Sequence, residues 1–331
     1  MASGNNCGLS GRKQITQMNS QTHYALASLL IMITATFSQV HADTLHDTHT
    51  LRLQRSQFIV DIIVQPDYLI KEFGPRFDRT ATVKQVTLNG KSFLIHAGLS
   101  DEFGLHGMGL RAFSKADMKT DFIKIGVGRL LRDDPGRYDF SHHYPIKTLA
   151  PVHVESQSTS HVTISQKVED ESYGYDYEKT YRISDDSPTL TIEYTLTNTG
   201  KRTLLIEQYN HNWFNFANTP IDQAYHVQTG FEINCRKWPW FSQNGKHLSL
   251  NQAITSGSYT PSSSSSTPQN NWLKLSHSVT GMNVTVTGDF PAGLLGFFAQ
   301  QDAICPEVHM TQFLSAYQKW TWKRTYRFDA P

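Results

Sequence analysis

Strict alternation of apolar and polar side chains is the feature that most constrains the fold of this chain. In residues 189–198, leucine, isoleucine or tyrosine fills every even position up to 196, and threonine or glutamate fills every odd position. A period of two buries one face of a β-strand and exposes the other. Turn residues at 198–201 then predict residues 203–209 as its hairpin partner. Similar strand-like runs occur at residues 161–168, 175–183, 283–287 and 294–300.

These short strands, separated by glycine, asparagine, aspartate and proline, predict an all-β fold. No run has the spacing of an amphipathic helix of three turns. Apolar residues make up 38% of the chain and aromatic residues 11%, which also favours strands over a leucine- and alanine-rich helical protein. The predicted architecture is a large antiparallel β-sandwich. Residues 256–270, rich in serine, are predicted to be a surface loop.

The N-terminal residues 1–42 have the layout of a secretory signal peptide. An apolar run at residues 24–37 follows basic residues and precedes a small-residue cleavage pattern that ends at Ala42. This order predicts cleavage after Ala42, with residues 43–331 as one secreted or periplasmic domain. The alternative is a membrane anchor, for which the run is short. No later run is long and apolar enough to cross a membrane.

Charge and cysteine content narrow the expected partners. A net charge of +1 predicts no broad electrostatic surface for nucleic acid or an anionic membrane. Cys7 lies in the predicted signal peptide, which leaves Cys235 and Cys305 either as a disulfide or as two free thiols. Without a second Cys/His pair at ligand spacing, no zinc site is predicted. Nothing in the sequence predicts an oligomeric state.

Residues 207–216 combine groups that suit sugar chemistry. They place His211 between two asparagines and just before three aromatic residues. Asparagine is a poor strand residue, so the cluster predicts a strand end that opens onto a site. Histidine can transfer a proton near neutral pH, asparagine can hydrogen-bond hydroxyls, and aromatic faces can pack on a sugar ring. The segment therefore predicts a sugar site.

The order from Asn210 to Asn215 resembles a motif of the aldose 1-epimerase (galactose mutarotase-like) family. The family motif usually reads Asn-His-x-Tyr-Phe-Asn, and here Trp213 replaces the tyrosine. The resemblance implies a single antiparallel supersandwich over residues 55–330. It also implies that His211 is the general acid toward the ring oxygen of a sugar, with Asn210 and Trp213 orienting the sugar.

A carboxylate late in the chain is the expected partner of this histidine. Glu307 follows the apolar run at residues 294–298, and a carboxylate at the end of a buried strand tends to have a pKa suited to a base near neutral pH. The family places its catalytic base in a similar position, so the resemblance implies that Glu307 is the base. Glu207 is the alternative.

Further ligands are predicted upstream. The sequence Leu-His-Gly around His106 resembles a Leu-His-Gly-Gly segment of the family, with methionine in place of the second glycine, and implies that His106 binds the sugar. Residues 122–130 resemble a variant group of mutarotase-like proteins with a KIGVG run. Arg111 and Arg129 are predicted hydroxyl ligands, and Glu102 is either a ligand or an ion-pair partner.

The resulting prediction is an enzyme that interconverts the α and β anomers of a hexose. The base accepts the proton of the anomeric hydroxyl while the acid protonates the ring oxygen, so neither a metal nor another cofactor is required. The predicted partner is a sugar, either a hexose or the end of an oligosaccharide. Three alternatives remain: a non-catalytic carbohydrate-binding or glucan-processing module, an epimerase of sugar phosphates, and a structural envelope protein.

Overall fold

Two large antiparallel sheets share one hydrophobic core, which confirms the predicted all-β sandwich. The computed structural model describes residues 50–104, 111–235, 240–264 and 266–331. The predicted signal peptide and its cleavage site lie outside the described residues, and so does His106. No helix in the described ranges is long and apolar enough to cross a membrane.

The first sheet carries the candidate site on its central strands. Elements are numbered in chain order, and β4 (Lys91–Ser92) pairs with the third strand. The other strands, in order across the sheet, are β1 (Thr50–Arg55), β2 (Phe58–Val64), β3 (Ala81–Leu88), β5 (Leu94–Phe103), β13 (Leu204–Phe214), β22 (Ala303–Leu314), β21 (Leu294–Gln300), β18 (Ser258–Ser263) and β15 (Asn234–Cys235).

The second sheet covers the other side of the core. In order across the sheet, its strands are β16 (Phe241–Asn244), β17 (His247–Leu250), β14 (Tyr225–Thr229), β19 (Trp272–His277), β20 (Asn283–Gly288), β23 (Lys319–Asp329), β12 (Thr189–Asn198), β11 (Tyr175–Ile183), β10 (His161–Val168) and β9 (Val152–Gln157).

A small three-stranded sheet and two short helices complete the described part of the chain. The small sheet comprises β6 (Asp121–Lys124), β7 (Gly128–Leu131) and β8 (Ile146–Leu149), and the helices are α1 (Asp67–Phe73) and α2 (Arg111–Lys115). The small sheet has its own core, formed by Phe113, Phe122, Val127, Leu130, Tyr138 and Tyr144.

Strand alternation decides which side chains of the first sheet can form a site. Successive side chains of a strand point to opposite faces. Even-numbered residues of β13 and β22, such as Ile206 and Met310, pack in the core between the two large sheets. Odd-numbered residues, including His211 and Glu307, therefore lie on the opposite face of the same sheet.

Two expectations about strands are wrong. Residues 203–209 do not pair with residues 189–198, because β12 pairs with β11 and β23 in the second sheet while β13 lies between β5 and β22 in the first. The turn between them carries the chain from one sheet to the other. The predicted loop at residues 256–270 contains β18, which pairs with β21 and buries Thr260 and Ser262.

Candidate active site

The register of β13 and β22 places His211 opposite Glu307. The two strands pair from Gln208 with Met310 to Phe214 with Ile304, and the same register relates the residues between. His211 Nδ1 lies 2.8 Å from Glu307 Oε1. Both residues are buried, with 3% and 4% of their surface exposed. Two residues that are almost a hundred positions apart in the sequence thus meet as an ion pair.

The second ring nitrogen of His211 faces another carboxylate. Glu102 lies on β5, the other neighbour of β13, and its Oε2 is 2.8 Å from His211 Nε2. The same oxygen accepts a hydrogen bond from Arg76 Nε at 2.8 Å. Of the two roles predicted for Glu102, the structure shows the ion pair. Arg76 carried no sequence signal, since it precedes Phe77 in an irregular segment without a motif.

These contacts fix the charge states of the pair. Burial alone would lower the pKa of His211, but Glu307 and Glu102 together raise it above the usual value. Burial opposes the charge on Glu307, yet the ion pair with His211 holds its pKa well below the usual range. The pKa of Glu102 falls to about 2, because Arg76 and His211 outweigh the effect of burial. The two carboxylates on either side of the ring therefore favour the imidazolium form of His211.

Aromatic side chains surround the imidazole. The ring of Phe77 meets the His211 ring edge-on, with 4.8 Å between the ring centres. The ring of Trp213 is nearly parallel to the His211 ring, with 6.3 Å between the centres. Trp213 is only partly buried and lies between Asn212 and Phe214, where the register of β13 against β5 shifts. Its indole N–H has no hydrogen-bond partner among the described residues. Trp213 thus offers a ring face and an unpaired donor beside His211.

Lys124 ties the small sheet to the segment that carries Arg76. Its ammonium donates to the Arg76 carbonyl at 2.6 Å and to the Tyr138 hydroxyl at 2.7 Å. Burial lowers the pKa of Lys124 to about 8. The contact to the carbonyl fixes the backbone of Arg76, and so supports the position of its guanidinium against Glu102.

A glycine on the neighbouring strand lies where the Tyr259 side chain comes near Glu307. Gly296 of β21 pairs with Glu307. A Cβ at this position would lie 2.8 Å from the Tyr259 hydroxyl and 3.1 Å from Glu307 Oε2. Tyr259 is 42% exposed, so a side chain that reaches solvent covers Gly296 next to the buried Glu307 carboxylate.

The alternative base Glu207 occupies a different place on the same face. It lies four residues before His211 on β13, and its Oε1 is 3.7 Å from His309 Nδ1. Among the described contacts it forms none with His211. The geometry therefore favours Glu307 over Glu207 as the partner of the histidine.

The structure corrects the placement of Asn210. Its side chain lies on the core face of β13 and donates to Asp101 Oδ1 at 2.6 Å and to the Tyr194 hydroxyl at 3.1 Å. Asn212 on the same face donates to the Pro306 carbonyl at 2.6 Å. These asparagines hold β13 against its neighbours rather than facing His211. The sequence could have predicted this placement, because on a strand the side chains of residues 210 and 212 point to the face opposite that of residue 211.

The two predicted arginine ligands are also not brought to His211. Arg129 on β7 binds the Glu169 carbonyl at 2.7 Å and Asp170 at 3.2 Å. Arg111 on α2 is exposed, and its guanidinium carbon lies 5.6 Å from the centre of the Phe313 ring, toward the end of β22. Arg129 thus forms an ion pair with Asp170, and Arg111 lies beside Phe313, six residues beyond Glu307 on β22.

Cysteine adds one donor to the site but no disulfide. Cys235 and Cys305 are both free thiols. Potential metal-ligating atoms of His211, Cys305 and Glu307 lie within 4.8 Å of one another. A thiol must lose its proton to bind a metal, and burial raises the pKa of Cys305 well above its usual value. Both nitrogens of His211 already face carboxylates, so the donor set fits proton transfer better than metal binding.

Solved structures share this fold. No protein-family model and no curated protein sequence matches the chain. A candidate aldose 1-epimerase from Escherichia coli K12 superposes with a TM-score of 0.54 at 13% identity, over 85% of this chain and 99% of that one. A galactose mutarotase-like protein from Lactobacillus casei gives 0.52 at 13% identity, over 85% and 100%. An aldose epimerase homologue from Caenorhabditis elegans gives 0.51 at 11% identity, over 85% and 98%.

These similarities define the class of the fold. The chain has the galactose mutarotase-like supersandwich, and the resemblance read from residues 210–215 is confirmed at the level of the fold. The candidate site lies on the outer face of its first sheet, where His211 is held between Glu102 and Glu307.

Proposed function

We propose that this protein is an aldose 1-epimerase, which interconverts the α and β anomers of an unphosphorylated sugar by opening and reclosing the ring. The observation that carries the proposal is the 2.8 Å contact between His211 Nδ1 and Glu307 Oε1 in a buried site. The pair supplies an acid and a base side by side.

This spacing suits the chemistry of a hemiacetal. The anomeric hydroxyl and the ring oxygen are both bonded to the anomeric carbon, so an acid and a base that act on them together must be close neighbours. A hemiacetal entering between His211 and Glu307 would replace their direct contact with two hydrogen bonds. The carboxylate would accept from the anomeric hydroxyl, and the imidazolium would donate to the ring oxygen.

Proton transfer in both directions then opens the ring. Glu307 takes the hydroxyl proton, His211 Nδ1 gives its proton to the ring oxygen, and the bond from the anomeric carbon to the ring oxygen breaks. Rotation about the C1–C2 bond of the aldehyde presents its other face. Reclosure reverses both transfers and restores an ionised Glu307 and a protonated His211, so protons and electrons balance over the cycle.

Glu102 and Arg76 prepare the acid without touching the sugar in this scheme. Glu102 holds His211 Nε2 at 2.8 Å and is itself held by Arg76 at 2.8 Å. This arrangement orients the ring so that Nδ1 faces Glu307. It also keeps the imidazole charged, which a proton donor requires.

The charges around the pair favour a neutral sugar. The carboxylates of Glu102, Glu207 and Glu307 face the basic groups of Arg76, His211 and His309. A fourth basic group, Lys124, donates to the Arg76 carbonyl and the Tyr138 hydroxyl. Each of the four basic side chains already faces a protein partner, which disfavours a phosphate. Trp213 offers an aromatic face for the apolar side of a sugar ring. The solved structures that share the fold bear epimerase and mutarotase names, which supports a reaction of this type.

Polarimetry tests the proposal directly. Freshly dissolved α-glucose or α-galactose changes its optical rotation as it equilibrates, and the wild-type protein should accelerate that change. His211→Asn and Glu307→Gln should each reduce the acceleration by about 10² to 10⁴-fold. His161→Asn and Glu193→Gln, on β10 and β12 of the second sheet, are matched controls that should keep the wild-type rate.

Two outcomes would contradict the proposal. In the first, both site variants accelerate the change as well as the wild type does. In the second, the wild type binds these sugars but does not alter the rate, which would support a carbohydrate-binding module instead.

A further inference from the structure

A second histidine continues the polar face beyond the His211–Glu307 pair. His309 follows Glu307 on the same face of β22, and its ring stacks on Tyr209 at 4.0 Å. The stacking fixes the plane of the imidazole and leaves its edges free. His309 is 3% exposed, and neither of its ring nitrogens has a hydrogen-bond partner among the described residues.

Both nitrogens of His309 face a carboxylate across a gap. Nε2 lies 3.9 Å from Glu307 Oε2, and Nδ1 lies 3.7 Å from Glu207 Oε1. The second oxygen of Glu207 is buried and also lacks a partner. Unpaired buried polar atoms are costly, so these gaps suit an added group that donates and accepts. A hydroxyl about 2.8 Å from each atom fits such a gap.

One metal ion cannot explain the arrangement. The two nitrogens of an imidazole point in different directions, and here each faces a different carboxylate. An ion on either side of His309 would have only one nitrogen and one carboxylate from this set. A hydroxyl group on each side of His309 would instead pair with both ring nitrogens and with one carboxylate oxygen each of Glu207 and Glu307.

The face then opens to solvent at an aromatic residue. Beyond His309 on β22, Thr311 and Phe313 point the same way, and Phe313 is 57% exposed. The Arg111 guanidinium carbon lies 5.6 Å from the Phe313 ring. An exposed ring beside a guanidinium offers a stacking face and hydrogen-bond donors to a sugar.

The length of this stripe exceeds one sugar ring. At about 3.3 Å per residue, the six steps from Glu307 to Phe313 cover roughly 20 Å along the strand. A single six-membered ring at His211 and Glu307 would leave Phe313 and Arg111 unused. Only the reducing end of an oligosaccharide has a hemiacetal, so its reducing unit would occupy the buried end and the remaining units would extend toward the surface.

We propose that the stripe formed by His309, Glu207, Phe313 and Arg111 binds the second and later sugar units of a reducing oligosaccharide. This inference rests on the proposed epimerase function and names its substrate class. Glu207 and His309 bind hydroxyls next to the reducing unit, and Phe313 stacks on a sugar ring farther out. Arg111, which the sequence predicts to be a hydroxyl ligand, is thereby assigned to the outer end of the stripe and not to the His211 site.

Matched sugars test the inference. Glucose is compared with maltose, cellobiose, laminaribiose and gentiobiose, which all have glucose at the reducing end but attach the second unit at different hydroxyls. At least one disaccharide should show a kcat/KM for anomer exchange about tenfold or more above that of glucose. A second sugar unit ends short of Phe313, so Phe313→Ala is tested with the tetrasaccharide that has the same linkage as that disaccharide. This variant should raise KM for the tetrasaccharide about tenfold and leave KM for glucose unchanged.

Variants separate the stripe from general damage. His309→Phe keeps the stacked ring but removes both nitrogens, and it should lower kcat/KM for the disaccharide more than for glucose. Val279 is an apolar residue, 82% exposed, on the turn between β19 and β20. Val279→Ala should change kcat/KM for neither the disaccharide nor glucose. Equal kcat/KM values for glucose and all four disaccharides would overturn the inference. An equal effect of Phe313→Ala on glucose and on the tetrasaccharide would overturn it as well.

Failure of the proposed function gives a different pattern. If the wild type accelerates no sugar, binding of the same five sugars and of the tetrasaccharide is measured by ligand-observed NMR. Tighter binding of a disaccharide than of glucose, together with weaker binding of the tetrasaccharide by Phe313→Ala, would still support the stripe while rejecting the epimerase. Equal or absent binding would overturn the stripe as well.

Discussion

Replacing Glu102 by glutamine tests how the site keeps His211 charged. Glu102 is fully buried, and its Oε2 lies 2.8 Å from both His211 Nε2 and Arg76 Nε. Glutamine has nearly the same shape but no charge. A hydrogen bond to a charged group contributes about 1.5–3 kcal/mol, and a change of one unit in pKa corresponds to about 1.4 kcal/mol. Glu102→Gln should therefore lower the pKa of His211 by about one to two units.

The sign of the effect on activity follows from the role of His211 as an acid. Its pKa is raised in the folded protein, and activity should fall as pH rises through that pKa, because the imidazolium loses its proton. Lowering the pKa moves this alkaline limb of kcat/KM to lower pH by about one to two units. The measurement is a pH profile of anomer exchange, together with an NMR titration of the His211 ring.

A matched carboxylate provides the control. Glu193→Gln removes an exposed carboxylate from β12 of the second sheet and should leave the alkaline limb in place. Thermal unfolding of both variants confirms that the comparison is made on folded protein. An alkaline limb at the wild-type position in Glu102→Gln, with an unchanged His211 titration, would contradict the role assigned to Glu102.

Three further predictions concern the surroundings of the pair. Gly296→Ala places a methyl group 3.1 Å from Glu307 Oε2 and should lower kcat in the polarimetric assay about tenfold or more. The control is Gly257→Ala, whose added methyl group would have its nearest neighbouring atoms at 3.5 Å and which should match wild type in the same assay. Asn210→Ala removes buried hydrogen bonds and should lower the free energy of unfolding in urea by about 1–3 kcal/mol, while an unchanged KM for the sugar would confirm its structural role. The pKa of Glu102 is lowered from 4.5 to about 2 in the folded protein, so its stabilisation is present above pH 4.5 and lost as pH falls toward 2. Between pH 4.5 and 2, the free energy of unfolding measured in urea should fall by about 3 kcal/mol more in wild type than in Glu102→Gln. An equal fall in the two proteins would contradict this.

Strand positions followed from local sequence, but strand partners did not. The runs at 161–168, 175–183, 189–198 and 294–300 coincide with β10, β11, β12 and β21. Alternation reports that one face of a strand is buried, and it carries no information about which strand lies beside it. The turn after β12 therefore looked like a hairpin although it connects two sheets. The serine-rich segment hid β18, because its strand is recognisable mainly through its pairing with β21.

The site was predictable only where a motif carried it. His211, Trp213 and Glu307 came from a short motif and its order along the chain, and the structure places all three on one face. The ion pair with Glu102 depends on the register of β5 against β13, which no local pattern reveals. Arg76 lies in an irregular segment that becomes relevant only through its contact with Glu102. The clustering of asparagines suggested that Asn210 binds the sugar, whereas strand alternation predicts that Asn210 and Asn212 face the core.

The central claim is that His211 and Glu307 act as one acid–base unit on a hemiacetal. Magnetisation-exchange NMR of glucose at equilibrium measures the rate at which the α and β anomers interconvert without any net reaction. Wild-type protein should increase that rate, and His211→Asn or Glu307→Gln should each remove about 10² to 10⁴-fold of the increase. Because the two groups act together, the double variant should be little worse than the poorer single variant. Wild-type exchange rates in either single variant would contradict the claim.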